Sequence, residues 1–253
     1  MPYNKGTITL TLGDKMQFRH NSVYERTVPS SKAYDAGLRA YFLKIYNYMG
    51  LGLGISAVVA WAFFNVPVLR ELAFNPMFRI AILIAELVIV WQLAAKALEI
   101  STSRAQALFW TFCALNGAML SVWFSIYTDA SLARAFLVAA ITFGSMSLFG
   151  YTTKANLTGM GHFMRMGLWG ILIAMVINIF VQSSAIHFVT SAIAVVVFTG
   201  LTAWDTQRLK ITYQHVAGTD MEDKVAINGA LTLYLDLINL FIFILQFLGV
   251  RRD

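Results

Sequence analysis

Charge is scarce in this chain. Of its 253 residues only 13% are Asp, Glu, Lys or Arg, 58% are hydrophobic, and the mean hydropathy is +0.65. A soluble domain carries about a quarter charged residues, so this composition argues against a water-soluble enzyme. Cysteine is scarcer still. With Cys113 alone, inside an apolar run, neither a disulfide framework nor a thiolate metal cluster can be built within one chain. The early apolar core of a secretory signal is also missing from residues 1 to 36, which are polar and interspersed with charge (Lys5, Asp14, Lys15, Arg19, Glu25, Arg26, Lys32, Asp35). They read as a cytosolic arm without a fixed fold, preceding a membrane domain over residues 37–253.

What the chain has in abundance is long apolar runs. A hydrocarbon slab of about 30 Å needs about 20 apolar residues per helical crossing. Seven runs qualify: Tyr41–Phe64, Phe78–Leu98, Ala105–Tyr127, Leu132–Thr152, Met164–Val181, His187–Asp205 and Ala226–Val250. Each is too long for a strand, and helices satisfy their own backbone hydrogen bonds in lipid, so the expected fold is an all-α integral membrane protein with seven transmembrane helices. The fifth and sixth runs are separated only by residues 182–186, which predicts a tight helical hairpin.

Basic residues set the orientation. With the N-terminus cytosolic, that side holds Lys5, Lys15, Arg19, Arg26, Lys32, Arg39, Lys44, Lys96, Arg104, Lys154, Arg165, Arg208, Lys210 and Lys224. The other side holds only Arg70, Arg79, Arg134, Arg251 and Arg252. Seven crossings place the Arg251-Arg252-Asp253 tail outside, a mild violation of the rule. A re-entrant last segment that returns the tail to the cytosol is the competing topology. The net charge of +6 follows from this bias and favours anionic headgroups. No basic face interleaved with exposed aromatics suggests nucleic acid.

Charges inside a bilayer are expensive and usually functional. Three carboxylates lie within runs: Glu86 in the second, Asp205 near the end of the sixth and Asp236 in the middle of the seventh. No Lys or Arg is placed at comparable depth by the run boundaries, since Arg79, Lys96, Arg134 and Arg165 fall near run ends. Four outcomes remain: protonation, a proton shared between carboxylates, a bound cation, or a basic side chain reaching in. Asp205 and Asp236 flank the polar stretch 206–225, so antiparallel neighbours bring them together if helix seven begins early or helix six is long. Two such carboxylates would titrate as a unit and, deprotonated, offer oxygen ligands to a hard cation such as Ca2+. The plainer alternative pairs Asp205 with Arg208 and leaves Asp236 to Tyr234 or Asn239. Glu86 is read equally as a pore-lining proton or cation site and as a structural hydrogen-bond partner.

Other signals are weaker. Gly50 with Gly54, and Ala140 with Gly144, read as small-xxx-small helix packing. His20, His162, His187 and His215 lack zinc spacing. Ser145, Ser147 and Ser191 have no deep histidine to serve them as nucleophiles. An intramembrane aspartyl protease needs two aspartates on adjacent helices, but its Tyr-Asp and Gly-x-Gly-Asp contexts are absent, so it stays only as an outlying alternative, and no enzymatic activity and no resident cofactor are expected.

Two segments carry a resemblance. Ala203-Trp204-Asp205-Thr206-Gln207-Arg208-Leu209 and Ala230-Leu231-Thr232-Leu233-Tyr234-Leu235-Asp236-Leu237-Ile238-Asn239-Leu240-Phe241 resemble the C-terminal signature of the Bax inhibitor-1 family. Glu86 also falls where members carry a glutamate in helix two. The resemblance implies six helices wrapped around a central seventh. It further implies a pH-sensitive calcium leak channel, gated by a proton-sharing aspartate pair matched here by Asp205 and Asp236. Bacterial members of that type can carry a latching arginine near the end of helix two, where this chain offers only Lys96, a point charge without a bidentate fork. A second implied role is regulatory, as a protein that modulates a membrane-bound AAA protease through the polar arm without flux of its own. A bacterial inner membrane suits the arrangement.

Overall fold

The computed structural model describes residues 31–96 and 99–252. Eight helices occur among them: α1 (Ser31–Asn65), α2 (Pro67–Phe74), α3 (Pro76–Ala95), α4 (Thr102–Ile126), α5 (Asp129–Thr152), α6 (Thr158–Val181), α7 (Ser184–Val216) and α8 (Glu222–Leu248). All but the short α2 are long and apolar enough to cross a membrane. Residues 31–36, assigned by sequence to the arm, are the first turns of α1; the remainder of the arm lies outside the described residues. Leu38–Asp253 forms one compact unit.

Helix ends follow local chemistry. Pro67 and Pro76 occupy first-turn positions, where a missing N–H costs nothing. Asn75, Ser101, Thr128 and Ser183 accept backbone N–H groups of α3, α4, α5 and α7 as N-caps. Between α6 and α7 only Gln182 and Ser183 intervene, and Gln182 takes a left-handed φ of 53° that reverses the chain at once. The expected hairpin is present.

α8 is the most enclosed of the seven. Of its most apolar stretch 61% is buried, against 6% for α6, so its apolar residues on all sides reflect protein neighbours. It packs on α4, α5 and α7, and α1 reaches it through Ser56 and Tyr234. The helix continues unbroken for 27 residues, about 40 Å, and so spans instead of turning back. Its tail is strapped to the α4–α5 joint: Thr128 N–H donates to Val250 O (3.1 Å), Arg252 N–H to Ile126 O (2.8 Å), Val250 N–H to Ser131 Oγ (3.0 Å), and Arg252 pairs with Asp129. The tail thus shares a face with that joint, which decides against the re-entrant alternative.

Close helix approaches occur elsewhere than the small-residue motifs suggested. A Cβ on Gly50, Gly54 or Gly144 would meet nothing within 4 Å, so these glycines face outward. Tight contacts include Gly117 against the Ser56 backbone, which seats α4 on α1, and Gly150 against the Ala203 backbone and Gly161 against the Trp204 ring, which seat α5 and α6 on α7. Gly150→Val forces helix backbones apart and is expected to lower stability by about 2 kcal/mol. Gly144→Ala should leave it unchanged, and thermal unfolding in detergent compares the two.

Candidate functional site

The sixth run does not end at Asp205. α7 continues to Val216, and the polar stretch 206–225 shrinks to a turn at residues 217–221. Residues 206–216 mix polar and apolar side chains, and their polar members are anchored along one side. Thr206 Oγ1 bonds Ser147 Oγ (2.9 Å), while Gln207 accepts from Leu157 N–H (2.9 Å) and donates to Ala155 O (2.7 Å). Lys210 Nζ reaches Tyr151 O (2.9 Å). Polar residues after Trp204 are thereby spent on satisfying the α5–α6 joint.

The longer helix brings the aspartates together. Leu209 lies on Gly229, which fixes the antiparallel register and puts Asp236 about one turn, roughly 5 Å, beyond the level of Asp205. Both carboxylates are buried, at 7% and 5% exposure. They line one cavity of about 480 Å3 between α6, α7 and α8, together with Arg165, Trp204, Arg208, Thr232 and Asn239 and an apolar remainder. Oδ2 of Asp236 is buried without a hydrogen-bond partner among the described residues.

Nor are the acids without cations. α6 begins at Thr158, six residues before the fifth run, so Arg165 lies two turns inside the helix and not at its edge. Its guanidinium carbon sits 4.6 Å from the centroid of the Trp204 ring, and that of Arg208 sits 5.5 Å from the same ring. Arg208 Nη1 is 4.0 Å from Asp205 Oδ1. The pairing of Asp205 with Arg208 is present, but the assumed helpers of Asp236 turn elsewhere. Tyr234 OH donates to Asn116 Oδ1 (3.0 Å) and bonds Ser56 Oγ (2.7 Å), and Asn239 Nδ2 donates to Leu235 O (2.8 Å).

Glu86 belongs to a second cluster. Asn116 Nδ2 donates to its Oε1 at 3.3 Å, and Asn116 links onward to Tyr234 and Ser56, so a polar chain runs α3–α4–α8–α1. Glu86 does not line the aspartate cavity. Lys96 is not brought to the aspartates either. It is exposed, over the Trp91 ring at 5.2 Å, on a helix that packs chiefly on α4. The cations that line the aspartate cavity are Arg165 and Arg208. Sequence reading missed Arg165 because the polar turn before Met164 hides two further turns of helix. Among the described residues no three His, Cys, Asp or Glu side chains converge as a metal centre.

With this geometry in view, comparison with known proteins is decisive. The family model "Inhibitor of apoptosis-promoting Bax1" matches residues 38–253. The chain belongs to the Bax inhibitor-1 family. Its Bax inhibitor-1 relatives include a Rickettsia prowazekii protein described as uncharacterized, 44% identical over 90% of this chain and 96% of its own. A Caulobacter vibrioides protein, also described as uncharacterized, is 40% identical over 92% and 98%. The Escherichia coli inner membrane protein YbhL is 43% identical over 86% and 94%. In this Bax inhibitor-1 chain the Trp-Asp-Thr-Gln-Arg segment thus serves two ends: Asp205 and Arg208 face the cavity, and the residues between them fasten α7.

The Tyr234 cluster predicts a stability effect separable from the aspartates. Tyr234→Phe deprives Ser56 and Asn116 of a shared partner and should cost about 1 kcal/mol. The loss should be reduced but not abolished when Ser56→Ala is already in place, because the bond to Asn116 remains, as a double-mutant cycle of unfolding would read.

Proposed function

We propose that this protein is a pH-sensitive calcium leak pathway of a bacterial inner membrane, with its N-terminus cytosolic and with Asp205 and Asp236 as the gate. The observation that carries the reading is the shared cavity, in which Asp236 Oδ2 is left without a partner. A buried carboxylate oxygen without a donor is costly, and a proton or a cation would relieve that cost. Ca2+, as the transported ion, prefers oxygen ligands, and the two carboxylates, the Thr232 hydroxyl and the Asn239 amide offer such a set along one wall. A proton shared between the carboxylates lowers their charge and closes that set to a divalent ion. The same proton weakens the hold of Asp205 on Arg208, so acid and cation compete for one pair of groups. The inner-membrane placement is supported by the printed name of the Escherichia coli relative.

Ca2+ flux into proteoliposomes from pH 5 to 8 tests this. Wild type should show a pH-dependent flux, and Asp236→Asn should flatten the profile. Identical profiles for the two would remove the aspartate pair from the gate. No flux above empty liposomes at any pH, with folded protein, would transfer the reading to regulation of a membrane-bound AAA protease through the polar arm.

The latch is tested in the same assay. Arg208→Gln removes the cation beside Asp205 and is expected to raise flux several-fold at the upper end of that pH range. Lys96→Gln should leave flux at the wild-type level; the opposite ranking would return the latch to α3.

A further inference from the structure

Arg165 makes no hydrogen bond or ion pair among the described residues. It is exposed on the α6 side of the cavity, on the helix that buries least of itself in protein. An exposed arginine that lines the cavity, stacked on a buried indole and without a hydrogen bond or ion pair among the described residues, has its guanidinium donors free for an anion. Arg208, with a side chain 63% exposed, flanks the same indole. We propose that Arg165 and Arg208, both held against the Trp204 ring, bind the phosphate of an anionic phospholipid whose acyl chain lies in the cavity along α6.

Three features of the site support that occupant. The guanidinium is weakly hydrated and its planar fork matches phosphate oxygens, so two of them near one ring make a headgroup seat that a lysine pair would not. Trp204 holds both side chains by cation–π contact without neutralising them. Beyond the cations the lining turns apolar, with Leu168, Leu172 and Met175 spaced one turn apart on α6 and facing the cavity. A charged mouth followed by an apolar track fits an amphiphile with an anionic head. The head end also lies where α7 passes from its apolar run into the residues 206–216. Asp205 and Asp236, the carboxylates lining this cavity, repel an anion. The phosphate therefore sits on the outer side of Arg165 and competes with Asp205 for Arg208. The binding does not rest on the calcium reading. Its consequence does: a phosphate that takes Arg208 from Asp205 couples the lipid to the gate.

The test uses the full chain in mild detergent, titrated with phosphatidylglycerol and phosphatidylcholine of identical acyl chains and read by native mass spectrometry. The first phosphatidylglycerol is expected to bind about tenfold more tightly than phosphatidylcholine, and Arg165→Gln with Arg208→Gln should cut that preference below about threefold. Arg39→Gln with Lys154→Gln, two exposed cations elsewhere on the basic side, should preserve it. Leu172→Trp keeps every charge but fills the track, and should weaken phosphatidylglycerol binding even if the arginine variant does not fold. Equal affinity of wild type for the two lipids, an equal loss in the Arg39/Lys154 control, or full affinity in Leu172→Trp would each overturn the proposal. Ca2+ flux of the same proteins in vesicles of the two lipids separates the two readings. A lipid preference without flux removes only the calcium pathway, and flux without a preference removes only the lipid site.

Discussion

The enclosure of α8 is the constraint from which the remaining structure follows. A helix taken out of lipid on every side must find partners for each polar group it carries, because neither water nor acyl chains will supply them. α8 carries two such groups two residues apart, which a helix places on opposite faces. Tyr234 finds Ser56 of α1 and Asn116 of α4. Asp236 finds a cavity between α6 and α7 instead of a donor. One face of the central helix is closed by hydrogen bonds, and the other is left chemically open. Rotation or translation of α8 that satisfied Asp236 better would break the Tyr234 contacts, so the two clusters are mechanically linked although no side chain joins them.

Charge balance in the cavity depends on which helix lends the cation. Two carboxylates and two guanidiniums line it, so electroneutrality is available in principle. Geometry prevents its full use. Arg165 is stacked on Trp204 and makes no ion pair among the described residues, and Arg208 only just reaches Asp205 at 4.0 Å while most of its side chain stays exposed. A loose, partly exposed pair contributes little to stability. Its place in the structure is better understood as poising the acids than as holding the fold together; the fold is held by apolar packing of α5, α7 and α8 around close backbone contacts such as Gly150 on Ala203.

Much of this was legible in the residues, and the exceptions have physical causes. Seven spans and the α6–α7 hairpin follow from run length and spacing alone. The meeting of Asp205 and Asp236 required only that helix six be long, and its polar extension is invisible to hydropathy because Thr206, Gln207 and Lys210 are bonded to the α5–α6 joint while remaining helical. Arg165 was misplaced by the same effect at the other end of a span, where Thr158 to Phe163 mixes polar and apolar residues in regular helix. Lys96 lay at the right point in sequence for a latch, but sequence position does not show which neighbour a helix faces. Outward glycines failed for that reason too: Gly50 and Gly54 have the spacing of a packing motif and meet nothing.

Trp204 explains why the cavity stays poised instead of collapsing into ion pairs. The indole is buried against Gly161, a position where any side chain would strike the ring, so it has no freedom to swing aside. A fixed ring attracts both guanidiniums through its π face, and this attraction competes directly with the pull of the carboxylates. Were Gly161 larger, α6 would move away, the ring would loosen and Arg165 would be free to fall onto Asp205. The small residue on α6 and the large one on α7 therefore act as one device. They hold two cations near the aspartates while Asp236 Oδ2 keeps no hydrogen-bond partner among the described residues.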